Sequence, residues 1–282
     1  MPELPEVETI ARGVDERLRG DRIVEVWFSS HTEPFKTSPM DQAQGLEGKG
    51  ILGVHRVGKH IVFELSEDKK SSKSPLPAQG SAQWIVHLGM SGRLLVTTPD
   101  GPLAPHTHAR LTLVSGRELR FVDPRRFGRL EFRELKRDKS FTGPGSEPLT
   151  ISPEAFADLF RGRKLAIKAA LLNQTLLHGV GNIYADESLF RAGIRPKRMA
   201  GRLKRAELFR LHAAIQDVLR HAIELGGSSV SDYVDANGVR GFFQLEHRVY
   251  LRIGQPCLVC ATPIRRILLA GRGTHFCPVC QH

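Results

Sequence analysis

Met1-Pro2-Glu3-Leu4-Pro5-Glu6-Val7-Glu8 opens the chain, and Thr9 to Leu18 carry the same pattern forward. Pro5 suits the first turn of a helix, and Glu6 and Glu8 lie near the positive end of its dipole. Val7, Ile10, Ala11, Val14 and Leu18 recur at helical spacing, so one face of this helix is apolar and needs a core to cover it. The same opening carries a second reading. Removal of Met1 leaves Pro2 first, with a secondary amine at the terminus. An α-amino group titrates near ~7.7–8.0, against ~10.4 for lysine, so part of it is unprotonated at neutral pH. Attack of such an amine on an aldehyde-level carbon gives an iminium, which is covalent catalysis of the Schiff-base kind. With Met1 retained, the Pro2 nitrogen is an amide and this chemistry is closed. An acid-rich helix start and a nucleophilic terminus are compatible, and this stretch alone does not choose between them.

Strands follow the helix. Ile23 to Phe28, Ile51 to Val57, Ile61 to Leu65, Trp84 to Leu88, Leu94 to Thr98, Leu111 to Val114 and Leu119 to Val122 are short and rich in β-branched or aromatic residues. Ser115-Gly116 falls between two of them as a hairpin turn. Many short strands separated by turns predict a sandwich or barrel over residues 1–135. Ser66 to Ser81 is polar and irregular and reads as a long hairpin loop. Gly143 to Pro148 fits a linker, drawn over 136–151. The period then changes. Pro153 to Arg161, Leu165 to Leu177, Asn182 to Ala192 and Ala206 to Leu225 read as helices, the last with Leu208, Leu211, Ile215, Val218, Leu219 and Ala222 on one face. The helical stretch is placed at 152–249 and a last module at 250–282.

That last module holds Cys257, Cys260, Cys277 and Cys280, the only cysteines of the chain, as two C-x2-C pairs. This is four-thiolate zinc spacing, with two disulfides or an iron–sulfur cluster as the alternatives. A zinc ribbon of this kind is a scaffold and implies no catalytic metal. Lys and Arg total 41 against 30 Asp and Glu, a formal charge of +11, which favours a polyanionic partner and nucleic acid first. No run of about 18 apolar residues is present, which argues against a membrane span. The acidic opening lacks the leader of a secreted chain, so an intracellular protein is expected.

Six segments stand in order along the chain. They are Pro2 to Glu8, Gly58-Lys59-His60, His87 to Gly92, Asp123 to Gly128, Gly179 to Glu187, and Gly271 to Cys277. Together with the cysteine spacing they resemble the bacterial formamidopyrimidine-DNA glycosylase (8-oxoguanine DNA glycosylase) family over essentially the whole chain. Leu4 resembles this branch more than the related endonuclease VIII branch. The resemblance implies an α+β multidomain fold: an N-terminal β-sandwich with an N-terminal helix, then a helix–two-turns–helix domain, then a zinc ribbon with one structural Zn2+. It implies a bacterial cytoplasmic monomer acting on double-stranded DNA that contains oxidised purines. The implied reaction is excision of the base followed by β,δ-elimination of the strand. An oxidised-pyrimidine glycosylase of the endonuclease VIII type, or a DNA-binding protein without chemistry, are the alternatives.

Residue by residue, the resemblance makes Pro2 the nucleophile at the sugar C1′ and Glu3 the adjacent general acid/base. Lys59 matches a lysine linked to β-elimination and phosphate contact. Arg272 matches the proton donor of δ-elimination, although a guanidinium with a pKa above ~12 is a poor acid and a better phosphate clamp. His106, Arg125, Lys164 and Asn182 match DNA contacts, and Lys168, one turn beyond Lys164, extends the same basic stripe. Because a base inside a duplex must be flipped out to be reached, Met90, Arg125 and Phe127 are expected to fill the gap it leaves. The stretch Gly226 to Phe243, with Ser228, Ser229 and Tyr233, together with Glu6, is expected at the lesion pocket.

Overall fold

The computed structural model describes residues 1–31, 33–67, 80–230 and 233–282. Most of the loop expected over 66–81 lies outside the described residues. Contacts divide the chain into two units, Met1–Thr142 with Gly226–Gly241, and Gly143–Leu225 with Phe242–His282.

The first unit runs α1 (Leu4–Leu18), β1 (Ile23–Phe28), α2 (Pro39–Leu46), β2 (Ile51–Val57), β3 (His60–Leu65), β4 (Ala82–His87), β5 (Arg93–Thr97), β6 (Thr107–Leu113), β7 (Glu118–Val122) and β8 (Arg129–Glu134). Two antiparallel four-stranded sheets form, ordered β1-β6-β7-β5 and β2-β3-β4-β8. Phe63 and Trp84 of one sheet share a core with Leu94 and Phe121 of the other, and α1 adds Val7, Ile10, Val14 and Leu18. The expected apolar stripe of α1 is therefore the face that is buried. Each such side chain contributes about 1.5–3 kcal/mol by leaving water. The indole of Trp84, fully enclosed, donates from Nε1 to Gln42 Oε1 at 3.0 Å, which satisfies its one polar atom.

Two elements here escape a reading based on β-branched runs and strong periodicity. In α2, Ser38 caps the helix by accepting from Asp41 N and Pro39 takes the first turn, but the helix has few apolar residues. Gly45 lies inside it because a Cβ there would come within 2.4 Å of the Phe132 ring. In β8, charged residues alternate with Leu130 and Phe132, the pattern of a sheet's outer strand.

Residues 226–241 pack with the first unit, so the stretch expected as helical over 152–249 is interrupted. The tie is made by α1. Glu6 Oε2 accepts from Glu3 N at 2.7 Å, and Glu6 Oε1 accepts from Ser228 N at 2.7 Å. The Glu3 side chain accepts in turn from the Glu6 backbone, completing a capping box. Gly227 has φ 83, and a Cβ there would lie 3.0 Å from the Glu6 side chain. Farther along, Tyr233 and Ala236 join the core, and Tyr233 Oη donates to Gly226 O at 3.0 Å.

The second unit runs α3 (Pro153–Asp158), α4 (Ile167–Leu171), α5 (Asn182–Arg191), α6 (Arg205–Glu224), β9 (Arg265–Leu269) and β10 (Arg272–Phe276). Expected as a helix to Leu177, α4 stops early. Asn173 Oδ1 accepts from Thr175 N at 3.0 Å and from Thr175 Oγ1 at 2.8 Å, a local turn that competes with the helix. β9 and β10 pair through a two-residue turn in which Ala270 and Gly271 both have positive φ (48° and 71°), as a type I′ hairpin requires.

Lys168 does not extend a surface stripe. Its side chain is fully enclosed, with Nζ 2.7 Å from Asp186 Oδ1, where both side chains have 0% exposure. Nζ also donates to Thr274 Oγ1 at 2.8 Å and Gly273 O at 3.1 Å. Asp186 Oδ2 accepts from His275 N at 2.8 Å. A buried charge is tolerable only when paired, and this pair holds β10 to α4 and α5. Lys168→Met leaves the Asp186 carboxylate uncompensated and lowers stability by about 3–5 kcal/mol. Urea unfolding followed by far-UV circular dichroism checks this; a loss under about 1 kcal/mol contradicts it.

Candidate active site

In the first unit the candidate residues sit on short, tightly built turns. Pro2 is buried while Met1 is exposed, and Glu3 is only 4% exposed. Chain termini ordinarily fray; here the Glu6 carboxylate fixes the terminus by its bond to Glu3 N. Lys59 occupies the two-residue turn between β2 and β3, which Val57 and His60 close. Gly58, before it, has φ 62, the glycine position of a II′-type hairpin. Lys59 is 8% exposed, so its ammonium is held and partly desolvated. The end of β2 is bound to α1 by Arg56 Nε and Glu8 Oε2 at 2.8 Å.

His87, the last residue of β4, faces His60 across the β3–β4 ladder with ring centroids 4.8 Å apart. Sequence reasoning noted it in a motif without giving it a role. Burial, and then the charges of Lys59, Lys36 and Arg129, push its pKa down from 6.5 to about 4. The ring is neutral at pH 7, and its Nδ1 accepts from Gly89 N at 3.1 Å. The loop that carries Met90 is thereby fastened next to Lys59's field.

Asp123, also fully buried, builds the second loop. It accepts from Ser91 Oγ at 2.6 Å and, through its other oxygen, from Gly128 N at 2.7 Å. Arg126 at the loop's tip has φ 55. Gly89 and Gly128 allow the two loops to touch: a Cβ on Gly89 would lie 2.5 Å from the Phe127 backbone, and one on Gly128 would lie 2.5 Å from the Phe121 ring. Met90 is half-buried, whereas Arg125 and Phe127 are exposed, with the guanidinium 5.2 Å above the Phe127 ring. These three side chains thus stand on adjoining, interlocked loops. His106 is exposed, has φ 66, and immediately precedes β6.

Glu6, Ser228, Ser229 and Tyr233 also come together. Glu6 bonds Ser228 N, Ser229 Oγ donates to Tyr233 O at 3.0 Å, and Gly241 N donates to Ser229 Oγ at 2.9 Å. Burial raises the Tyr233 phenol's pKa, keeping it a hydrogen-bond donor.

In the second unit Arg272 is exposed at the start of β10, just past the hairpin turn. Asn182, the first residue of α5, donates from Nδ2 to Gly273 O at 3.0 Å. Lys168 Nζ reaches the same oxygen, so two donors fix the backbone beside Arg272. The spacing of Lys168 and Asn182 along the chain gave no sign that both converge on the hairpin. Lys164 is exposed.

The four cysteine sulfurs all lie within 4.8 Å of one another. Sγ atoms of Cys260 and Cys277 are 3.4 Å apart, and those of Cys257 and Cys280 3.9 Å apart. Zn–S bonds of ~2.3 Å in a tetrahedron place sulfurs about 3.8 Å apart, so the donor set fits one Zn2+. Cys280 N donates to Cys277 Sγ at 3.3 Å, the outer-shell support a metal thiolate takes.

Three family descriptions match the chain in order: the formamidopyrimidine-DNA glycosylase N-terminal domain over residues 1–130, its H2TH domain over 143–234, and the zinc finger found in FPG and IleRS over 254–282. A formamidopyrimidine-DNA glycosylase of Solibacter usitatus is 46% identical over 281 residues, covering 100% of this chain and 99% of its own. The crystal structure of the MutM (FPG) protein of Thermus thermophilus matches with TM-score 0.84 and 39% identity, covering 99% of this chain and 98% of that one. A MutM structure in complex with carbocyclic 8-oxo-G containing DNA matches with TM-score 0.87 and 34% identity, covering 100% of both chains.

Two measurements probe this geometry. His87 has a lower pKa folded than unfolded, so its contribution to stability is complete above about pH 6.5 and is lost as pH falls toward 4. His87→Asn keeps an acceptor for Gly89 N without titrating, so urea unfolding across that window should show a shallower decline. An unchanged decline assigns the pH dependence elsewhere. Cys277→Ser removes a zinc ligand and with it folding free energy. Elemental analysis should find the purified variant depleted of zinc, and full occupancy would refute the four-thiolate site.

Proposed function

The chain belongs to the formamidopyrimidine-DNA glycosylase family, and from that premise we propose that it is a bifunctional base-excision repair enzyme. It removes oxidised purines, 8-oxoguanine and formamidopyrimidines, from double-stranded DNA, then cleaves the strand at the abasic site. With Met1 removed, the Pro2 nitrogen attacks C1′ of the damaged nucleotide and the N-glycosidic bond breaks, leaving an iminium between enzyme and sugar. Glu3, joined to the nucleophile along the chain, moves protons as the ring opens. Lys59 serves β-elimination and the flanking phosphate. Arg272, on a hairpin tip fixed by Lys168 and Asn182, binds phosphate during δ-elimination.

Met90, Arg125 and Phe127 enter the gap left by the extruded base, Arg125 toward the orphaned cytosine and Phe127 as a wedge. Their support is the exposed position of Arg125 and Phe127 on loops braced by Asp123. His106, Lys164 and Asn182 contact the DNA backbone, and the 226–241 segment covers the lesion. The zinc is structural: bound by the four cysteines, it holds the ribbon that carries Arg272. The enzyme works as a monomer in the bacterial cytoplasm, where its DNA substrate lies. Among the described residues no helix is long and apolar enough to cross a membrane.

The observation that carries the reading is the buried Pro2–Glu3 terminus held by Glu6. Sodium borohydride reduction of the protein with a duplex bearing one 8-oxoguanine tests it. A covalent protein–DNA adduct is expected with that lesion and only a minor one with oxidised pyrimidines. A pyrimidine-dominated adduct moves the chain to the endonuclease VIII type, and no adduct from protein lacking Met1 leaves a DNA-binding protein without chemistry.

A further inference from the structure

Within the first unit, a cavity of about 430 Å3 is lined by Ser91, Arg93, Arg125, Tyr233 and Arg240 among others. Three arginines therefore line one small space. Among the described residues, no carboxylate lies within ion-pairing distance of any of them. The pairs formed elsewhere in this unit are many, such as Arg12–Glu8, Arg19–Asp15, Arg56–Glu8, Arg120–Glu118 and Arg133–Glu131. Acids are available to this surface, and among the described residues none is spent on this cavity.

Each arginine is held from a different side. Arg93 begins β5 and pairs with Val122 of β7. Its Nε is shielded from solvent and has no hydrogen-bond partner. Arg125 has its backbone N on Ser91 Oγ at 3.2 Å. Arg240 follows a turn closed by Asp235 Oδ1, which accepts from Asn237 N and Val239 N, both at 2.8 Å. That carboxylate oxygen is thus committed to backbone. Ser91 Oγ already donates to Asp123, so the remaining polar capacity of the cavity is cationic. Planar, permanently charged guanidiniums in this number suit an oxyanion taken in bidentate fashion, a phosphate diester above all.

We propose that Arg93 and Arg240, beside Arg125, form a phosphate site for the DNA strand opposite the lesion. This rests on the reading above that Arg125 faces the orphaned base, from which we take the arginines beside it to face that base's own strand. A free phosphate ion offers the same chemistry, and the experiment separates the two sources.

The test compares the wild-type chain with Arg240→Ala and with Arg93→Gln/Arg240→Ala. The exposed Arg240 keeps the test valid should the half-buried Arg93 prove necessary for folding. Affinity for a duplex carrying a tetrahydrofuran abasic analogue is measured against salt. Losing two phosphate contacts should lower the slope of log affinity on log salt by about 1.8, and losing one by about 0.9. The same variants should bind the single-stranded abasic oligonucleotide with the wild-type slope, because it lacks the opposite strand. Neutral methylphosphonate linkages flanking the orphaned base should lower the wild-type slope and leave the double variant's unchanged. An unchanged duplex slope in both variants overturns the site. An equal fall on single-stranded DNA assigns it to the lesion strand and overturns the proposal. Competition by millimolar inorganic phosphate that both variants abolish, with no change of duplex slope, makes it a free-anion site and overturns it too. None of these outcomes bears on borohydride trapping, so failure here is distinguishable from failure of the catalytic reading.

Discussion

Glu6 has one carboxylate and uses both of its oxygens on backbone amides far apart in sequence. One oxygen takes the amide of Glu3, and the other takes the amide of Ser228. The first bond ends the fraying of the N-terminus and gives α1 a defined beginning. The second brings a segment from beyond α6 back onto the sandwich. Everything asked of Pro2 depends on this arrangement. An amine that must meet one carbon of a damaged nucleotide cannot sit on a disordered tail, because effective molarity falls steeply as a reactive group is allowed to wander. The capping box confines the neighbour of the proposed nucleophile, and Gly227 lets the returning segment approach closely enough to share the carboxylate.

The same economy recurs at the other candidate groups. Asp123 is buried so that two loops can lock around it, and the side chains proposed for the flipped-base gap project from those loops. In the second unit the Lys168–Asp186 pair is buried beneath β10, and the exposed Arg272 stands one residue from the carbonyl that Lys168 and Asn182 hold. In each case a buried ionised group does no chemistry itself. It fixes backbone next to a group proposed above to contact DNA. Buried charges cost desolvation, and here that cost goes into geometry.

Much of this was legible in the sequence. The helix start, seven of the strands, the longer helices and the metal module follow from proline and acid placement, β-branched runs, helical periodicity and the C-x2-C pairs. The candidate residues were legible only through the ordered motifs, since a lysine such as Lys59 has no local signature that separates it from any other lysine. What stayed hidden was long-range pairing. Lys168 reads as the next residue of a basic stripe, and only the fold reveals Asp186 beside it. Residues 226–241 follow a helix directly and read as part of the 152–249 domain, yet Tyr233 and Ala236 belong to the sandwich core. α2 and β8 were missed because their apolar content is low and they owe their place to packing between Gly45 and Phe132. His87's acceptor role depends on Lys59 and Gly89 arriving from separate turns.

The central claim is that the terminal imino nitrogen, held in place by Glu6, is the atom that captures the sugar. Peptide mapping by mass spectrometry of the borohydride-reduced protein–DNA adduct tests this most directly. The account predicts that Met1 is gone and that the reduced sugar is attached to the N-terminal peptide at Pro2. An adduct on Lys59, or on any side chain of a protein that still carries Met1, would contradict it.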